Sequence, residues 1–197
     1  MTSGIRPARA GVPCVEASVS MAALYTPTYK PVGDEVAVFQ TTKGTIEVKL
    51  DAAGAPIHVA NFCELAEKGF YNGTKFHRYV PGFVIQGGDP NTRDLTPEEV
   101  ARGGKPGAPR PGTGGPGYCI KAEYRTNPHN SHDDAALAMA RSMAPDSAGS
   151  QFYFCLGAQH GLDRDYTVFG QTLTGQDVIR QLRQGDELTS VTIRHQA

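Results

Sequence analysis

The stretch Phe76-His77-Arg78-Tyr79-Val80-Pro81-Gly82-Phe83-Val84-Ile85-Gln86-Gly87-Gly88-Asp89 decides how this chain reads. Two short runs of β-forming residues flank Pro81-Gly82, a pair suited to a tight turn, so the runs are expected to pair as antiparallel strands. Side chains alternate between faces along a strand. Arg78 and Val80 then share one face of the first strand, while the second strand offers either Phe83 with Ile85 or Val84 with Gln86. An arginine among apolar neighbours needs a partner or a task, because its charge cannot be removed. A surface strand with a solvated arginine is the plain alternative.

Outward from that stretch the pattern stays β-rich. Residues 36–40 and 45–50 read as a hairpin, with Ile46, Val48 and Leu50 on one face and Glu47 and Lys49 on the other. A helix follows, with Pro56 in its first turn and Gly69 past its end. Its Val59, Phe62, Leu65 and Ala66 lie at helical spacing to cover one end of a sheet. Further strands are expected at 75–80, 83–86, 118–123, 136–140, 151–156, 167–171 and 189–194, and a second helix at 175–183. About eight short strands and two helices predict a mainly β fold, a closed eight-stranded antiparallel barrel capped by two helices. Closure would hide the sheet edges.

Two segments break this rhythm. Residues 103–117 hold eleven glycines or prolines in fifteen positions, directly after a possible helical turn at 95–102. The whole of about 91–117 reads as an insertion loop on the surface, whose ends lie near strands expected to build a groove. A solvated insertion is the plain reading, and a segment that shields, extends or occupies the groove is the alternative. Residues 1–34 contain Pro7, Pro13, Pro27 and Pro31 without sustained periodicity, and read as a disordered tail ahead of a domain at 35–197.

The bulk numbers exclude several classes of partner. A chain of 197 residues with 39% hydrophobic and 20% charged residues is long enough for one core. A net charge of −1 gives no footing for nucleic acid or an anionic membrane, so neither is expected as a partner. Without a bilayer-length apolar run or a signal-peptide pattern, the expected location is cytoplasmic. Cys14, Cys63, Cys119 and Cys155 are scattered and form no CxxC pair, which points to free thiols. His129, His132, Asp133 and Asp134, with Cys119 ten residues before His129, fit no regular zinc spacing. The expectation is a monomer with no metal and no cofactor.

The remaining motifs lie downstream. Ala138-Met139-Ala140-Arg141-Ser142 is followed by Gly149-Ser150-Gln151-Phe152-Tyr153-Phe154, then Leu162-Asp163 and Tyr166-Thr167-Val168-Phe169-Gly170. Together with FHR-x-x-PGF-x-x-QGGD, these blocks resemble, in order over residues 36–193, the cyclophilin family of peptidyl-prolyl isomerases. The resemblance implies the capped eight-stranded barrel and an enzyme that isomerises X–Pro bonds in peptides and in folded or unfolded proteins. It implies Arg78 as the catalytic arginine and Gln86 as the glutamine that bonds the substrate backbone. Phe83, Val84, Tyr153 and Leu162 would line the proline pocket, with Tyr166 as a further wall. Ala140, Arg141 and Gln151 would border the groove for the residues before proline.

The chain departs from the family pattern at four positions. Gly161 stands where many relatives carry a large aromatic, and the chain has no tryptophan. Arg141 replaces a frequent asparagine, a contact made through the backbone. Tyr166 replaces a histidine of some relatives. Tyr153 replaces a phenylalanine, and its hydroxyl must find a partner if buried. A proline-recognition module without turnover is the competing reading, and Arg78 argues against it, because recognition alone needs only the aromatic pocket.

Overall fold

The hairpin that opens the ordered pattern forms as its alternation demands: β1 (Glu35–Thr41) pairs antiparallel with β2 (Gly44–Leu50). Ile46, Val48 and Leu50 point into the interior. The computed structural model describes residues 24–196. Downstream of the hairpin come α1 (Pro56–Glu67), β3 (Thr74–Lys75), β4 (Arg78–Val80), β5 (Val84–Gly87) and α2 (Pro97–Ala101). The chain then adds β6 (Ala136–Met139), β7 (Phe152–Cys155), β8 (Val168–Thr174), α3 (Gln176–Gln181) and β9 (Glu187–His195). All nine strands belong to one curled antiparallel sheet in the order β3-β9-β1-β2-β8-β6-β7-β5-β4.

The two ends of that order belong to one stretch of chain. Within residues 74–80, β3 pairs with β9 and β4 pairs with β5. Between them Phe76 donates its N–H to Asp186 and accepts from Gly185, while His77 donates its N–H to the carbonyl of Gln86. The interior is filled from both sides by aromatic rings. Phe39 lies edge-on to Phe152 and Phe154, with centroids 5.5 and 5.3 Å apart, and Phe62 of α1 packs on Phe169 at 5.3 Å.

Three expectations are corrected. The stretch expected as one strand at 75–80 is divided into β3 and β4, which makes nine strand segments in all, and three α-helices form rather than two. The third, α2, falls on the helical turn foreseen at 95–102, and Thr96 and Glu99 close its start with reciprocal side-chain bonds. Residues 118–123 do not form a strand; Ile120 alone makes a bridge, to Ala148. Side chains replace the ladder there: Ala122 donates its N–H to Asp146 and Glu123 donates its N–H to Thr167 Oγ1. The Glu123 carboxylate in turn accepts the Ile57 and His58 N–H groups at the start of α1, at 3.0 and 2.9 Å. Ala55 offers α1 no side-chain cap, so Glu123 supplies one from across the fold.

The third correction concerns the tail. Residues 24–34, expected to be disordered, lie as an extended segment fastened to Glu64 of α1. Tyr25 Oη, Thr28 Oγ1 and the Tyr29 N–H donate to its carboxylate at 2.7, 2.8 and 2.7 Å. Burial alone would raise the Glu64 pKa, but these bonds outweigh it and hold the carboxyl at about 2. Residues 1–23 lie outside the described residues. Among the described residues no helix is long and apolar enough to cross a membrane.

Candidate active site

Strand alternation gives the sheet a second apolar face. On β7, Phe152 and Phe154 enter the interior while Tyr153 and Cys155 face outward; on β6, Leu137 and Met139 enter while Ala136 and Ala138 face outward. The outward residues join Val84 and Val168 in a separate apolar cluster, and half-buried Phe83, Ala140, Leu162 and Tyr166 pack around it. Every residue assigned above to the proline pocket is in this cluster.

Register then brings the polar groups to it. Arg78 on β4 lies opposite Gln86 on β5, Gln86 opposite Tyr153 on β7, Tyr153 opposite Ala138 on β6, and Ala138 opposite Val168 on β8. One row of side chains therefore runs across five strands, from a cation at one end to an apolar floor. Of the two options left open for β5, the structure selects the face of Val84 and Gln86. Arg78 is exposed, and its guanidinium carbon lies 5.9 Å from the centroid of the Phe83 ring. Among the described residues the guanidinium takes part in no ion pair or side-chain hydrogen bond, so the charge stays available.

The glutamines are held in a chain. Gln86 Nε2 donates to Gln151 Oε1 at 2.9 Å, and Gln151 Nε2 donates to the Gly114 carbonyl at 2.8 Å. Gly114 belongs to the insertion loop, and buried Asp89 anchors that loop by accepting the N–H groups of Gly112 and Gly114. The approach of Asp89 depends on Gly88, whose φ is +81° and where a Cβ would fall 2.5 Å from the Ser150 carbonyl. The loop therefore borders the groove at its C-terminal end. Its α2 end docks elsewhere, on Gln184, whose Nε2 donates to the Val100 carbonyl.

The far wall is built by Arg141 and Tyr166. The Arg141 guanidinium lies 4.7 Å from the Tyr166 centroid and donates from Nε to the Asp165 carbonyl at 2.7 Å. Ala140 is tied to the rim through its backbone, donating its N–H to the Gln151 carbonyl at 2.8 Å. Tyr166 meets Tyr153 edge-on at 6.1 Å. The Tyr153 hydroxyl has the partner its burial demands, His132 Nε2 at 3.0 Å.

All ten residues foreseen from the sequence thus lie around one surface. Five groups were missed. Ala136, Ala138, Cys155 and Val168 carry no distinctive chemistry, although the alternation in Ala136-Leu137-Ala138-Met139 marks two of them. His132 was read only within a candidate metal group, and that group disperses. His129 pairs with Asp51 at 3.1 Å and His132 with Asp163 at 2.7 Å. Among the described residues, the side chains close enough to share an ion are Asp34, Glu35 and His195. There His195 is bonded to Asp34, and Glu35 accepts the Val32 and Gly33 N–H groups.

A cation beside an apolar floor, on a curled antiparallel sheet, is the class of site that this chain presents. Comparison with known proteins gives the class its family. The sequence profile of the cyclophilin type peptidyl-prolyl cis-trans isomerases matches residues 36–196. A peptidyl-prolyl cis-trans isomerase of Synechococcus elongatus is 40% identical over 159 residues, 80% of this chain and 94% of that protein. Peptidyl-prolyl cis-trans isomerase B of Bacillus subtilis is 40% identical over 148 residues, 75% and 90% of the two chains. A cyclophilin of Hirschia baltica shares the fold with a TM-score of 0.63 at 24% identity, covering 83% of this chain and 75% of that one. A cyclophilin type isomerase of Cryptosporidium parvum, crystallised with the dipeptide Ala-Pro, superposes with a TM-score of 0.65 at 23% identity, covering 82% and 99%. This chain belongs to the cyclophilin-type peptidyl-prolyl cis–trans isomerases. Its activity is isomerisation of the peptide bond preceding proline.

Proposed function

We propose that Arg78 is the catalytic group and that proline-containing peptides bind across the row from Arg78 to Val168. The observation that carries this reading is the register itself, which sets the one exposed cation of the row beside the outward apolar cluster. Peptide resonance sets a barrier of about 18–20 kcal/mol to rotation. As the bond twists, the prolyl nitrogen recovers a localised lone pair. A donor aimed at that nitrogen is stronger in the transition state than in the ground state, which lowers the barrier. Arg78 supplies the donor fully charged at every physiological pH. Phe83, Val84, Tyr153 and Leu162 take the prolyl ring, Gln86 fixes the backbone, and the acyl side rotates in the groove rimmed by Ala140, Arg141, Gln151 and Tyr166. No bond is broken, so the step calls for no nucleophile or general base.

The finer architecture follows the same reading. Residues 74–80 act as one strand joined to β9 on one side and β5 on the other, which supports a closed barrel of eight strands around the core. Every group of the site comes from one chain, in keeping with a working monomer. The free thiols Cys63, Cys119 and Cys155 accord with a reducing, cytoplasmic setting. The test is exchange of a short X–Pro peptide by the protein and by Arg78→Ala. Loss of about a hundredfold in kcat/KM is expected, the size of a lost preorganised donor. An unchanged rate would remove Arg78 from the mechanism.

A further inference from the structure

Behind the pocket floor lies a second polar chain, running inward from the surface. Asp163 Oδ1 accepts from both the His132 backbone N–H and His132 Nδ1, each at 2.7 Å. A carboxylate only accepts, so Nδ1 carries the proton and Nε2 of the neutral ring is left as an acceptor. The Tyr153 hydroxyl therefore donates to Nε2. The two rings stack with centroids 6.0 Å apart and planes 15° from parallel, and His132 has no solvent exposure. Asp163 thus dictates the tautomer of His132, and His132 dictates where the Tyr153 hydroxyl points.

We propose that His132 and Asp163 are positioning residues for the prolyl pocket, and that protonation of His132 weakens proline binding by turning the Tyr153 hydroxyl toward the pocket. The inference rests on the assignment of Tyr153 to the pocket floor. With neutral His132 the hydroxyl proton is directed away from the groove, and the ring offers the substrate an apolar face. A proton taken from solvent onto Nε2 makes His132 a donor at both nitrogens. The hydroxyl oxygen still accepts from Nε2–H, but its own proton loses its acceptor and must turn toward the apolar cluster, where an unpaired polar hydrogen opposes a prolyl ring. The titratable groups around His132 are Asp163 and His160 in the segment after β7, Asp133 beside it in the chain, and the neutral phenol of Tyr153 on β7; Tyr153 also faces Cys155, Tyr166, Arg141 and Asp163. Burial lowers the His132 pKa more than Asp163 raises it, so the neutral ring persists at neutral pH and protonates in acid.

The experiment is the separate measurement of kcat and KM for an X–Pro peptide at about pH 7.5 and about pH 5. In the parent protein KM is expected to rise about three- to tenfold at the acid pH, the worth of one hydrogen bond, with kcat moving less. Tyr153→Phe removes the hydroxyl and should flatten that KM profile. Asp163→Asn, whose amide no longer fixes the tautomer, should raise KM at about pH 7.5 towards the acid value of the parent. A flat profile in the parent, or one that persists in Tyr153→Phe, overturns the proposal; persistence would point to His77, the other buried histidine near the site. Phe83→Ala separates the two levels of argument. It should raise KM equally at both pH values, and if it does not, the pocket assignment itself is wrong.

Discussion

The two faces of β7 use alternate residues of one strand for opposite ends. Phe152 and Phe154 on the inner face are fully enclosed within the main apolar cluster. Phe152 alone meets the rings of Phe39, Phe62, Tyr71, Phe76 and Phe154, with centroids 5.5 to 6.4 Å away. Tyr153 and Cys155 on the outer face are also buried, but Tyr153 is held by a hydrogen bond and ringed by Gln86, Tyr166 and, through His132, a carboxylate. The inner face is stabilised by shape. The outer face is kept in place by polar groups around an apolar patch left open for a ligand. Substitutions should therefore separate stability from activity along a single strand.

The largest effect belongs to the inner face. Phe152→Ala should destabilise the fold by about 3–5 kcal/mol, since the surrounding rings cannot all close on the void. Urea unfolding would show it as a lower midpoint, with kcat/KM per folded molecule changed far less. A small stability loss would mean that the interior is looser than its ring geometry implies. Arg78→Ala is the converse. The expected hundredfold fall in kcat/KM corresponds to about 2.7 kcal/mol of transition-state stabilisation. Stability should move by less than about 0.5 kcal/mol, because the side chain is exposed and meets only the half-buried ring of Phe83. Coupled losses in both quantities would break the division between the faces.

Gln151→Ala tests the seam between them. It deletes the bond that steadies Gln86 and the bond that holds the Gly114 carbonyl, without touching the core. Losing the bond to Gln86 should cost about 1 kcal/mol, seen as about a fivefold fall in kcat/KM. A fall confined to substrates with bulky residues before proline would show that the insertion loop, released at Gly114, matters more than Gln86. Equal falls across substrates would give the effect to Gln86.

The faces also differ in how well the sequence displayed them. Alternation along residues 76–89 placed Arg78 and left two choices for β5, and the pairing of β4 with β5, which sets Arg78 opposite Gln86, decides between them. The hairpin at residues 36–50 was legible because its turn and its apolar period are local. Residues 118–123 looked like a strand because propensity is local too, yet their hydrogen bonds go to Asp146 and Thr167, which no short pattern announces. The same holds for residues 24–34, whose anchor, Glu64, lies 36 positions beyond Thr28. Tyr153 signalled a need for a partner. That the partner is His132, 21 residues earlier, follows from β6 and β7 lying side by side.

The smallest expected effect is the pH dependence of stability that the outer face contributes through His132. Burial holds the His132 pKa below its ordinary 6.5, the bonds to Asp163 notwithstanding. Between the depressed native value and 6.5 the unfolded chain binds a proton at this site that the native chain does not, so stability falls as pH drops through that window and is fully present above it. His77, also depressed by burial, adds a slope of the same sign. His195, raised by its bond to Asp34, adds one of opposite sign: its contribution is present below 6.5 and lost as pH rises through its elevated value. The His132 part is isolated by difference. Denaturant midpoints of the parent and of His132→Gln, followed from about pH 7.5 to pH 5, should converge as acid removes what the substitution has already removed. Parallel curves would mean that the ring takes up no proton in this range. The outer face would then be as indifferent to pH as the phenylalanines on its other side.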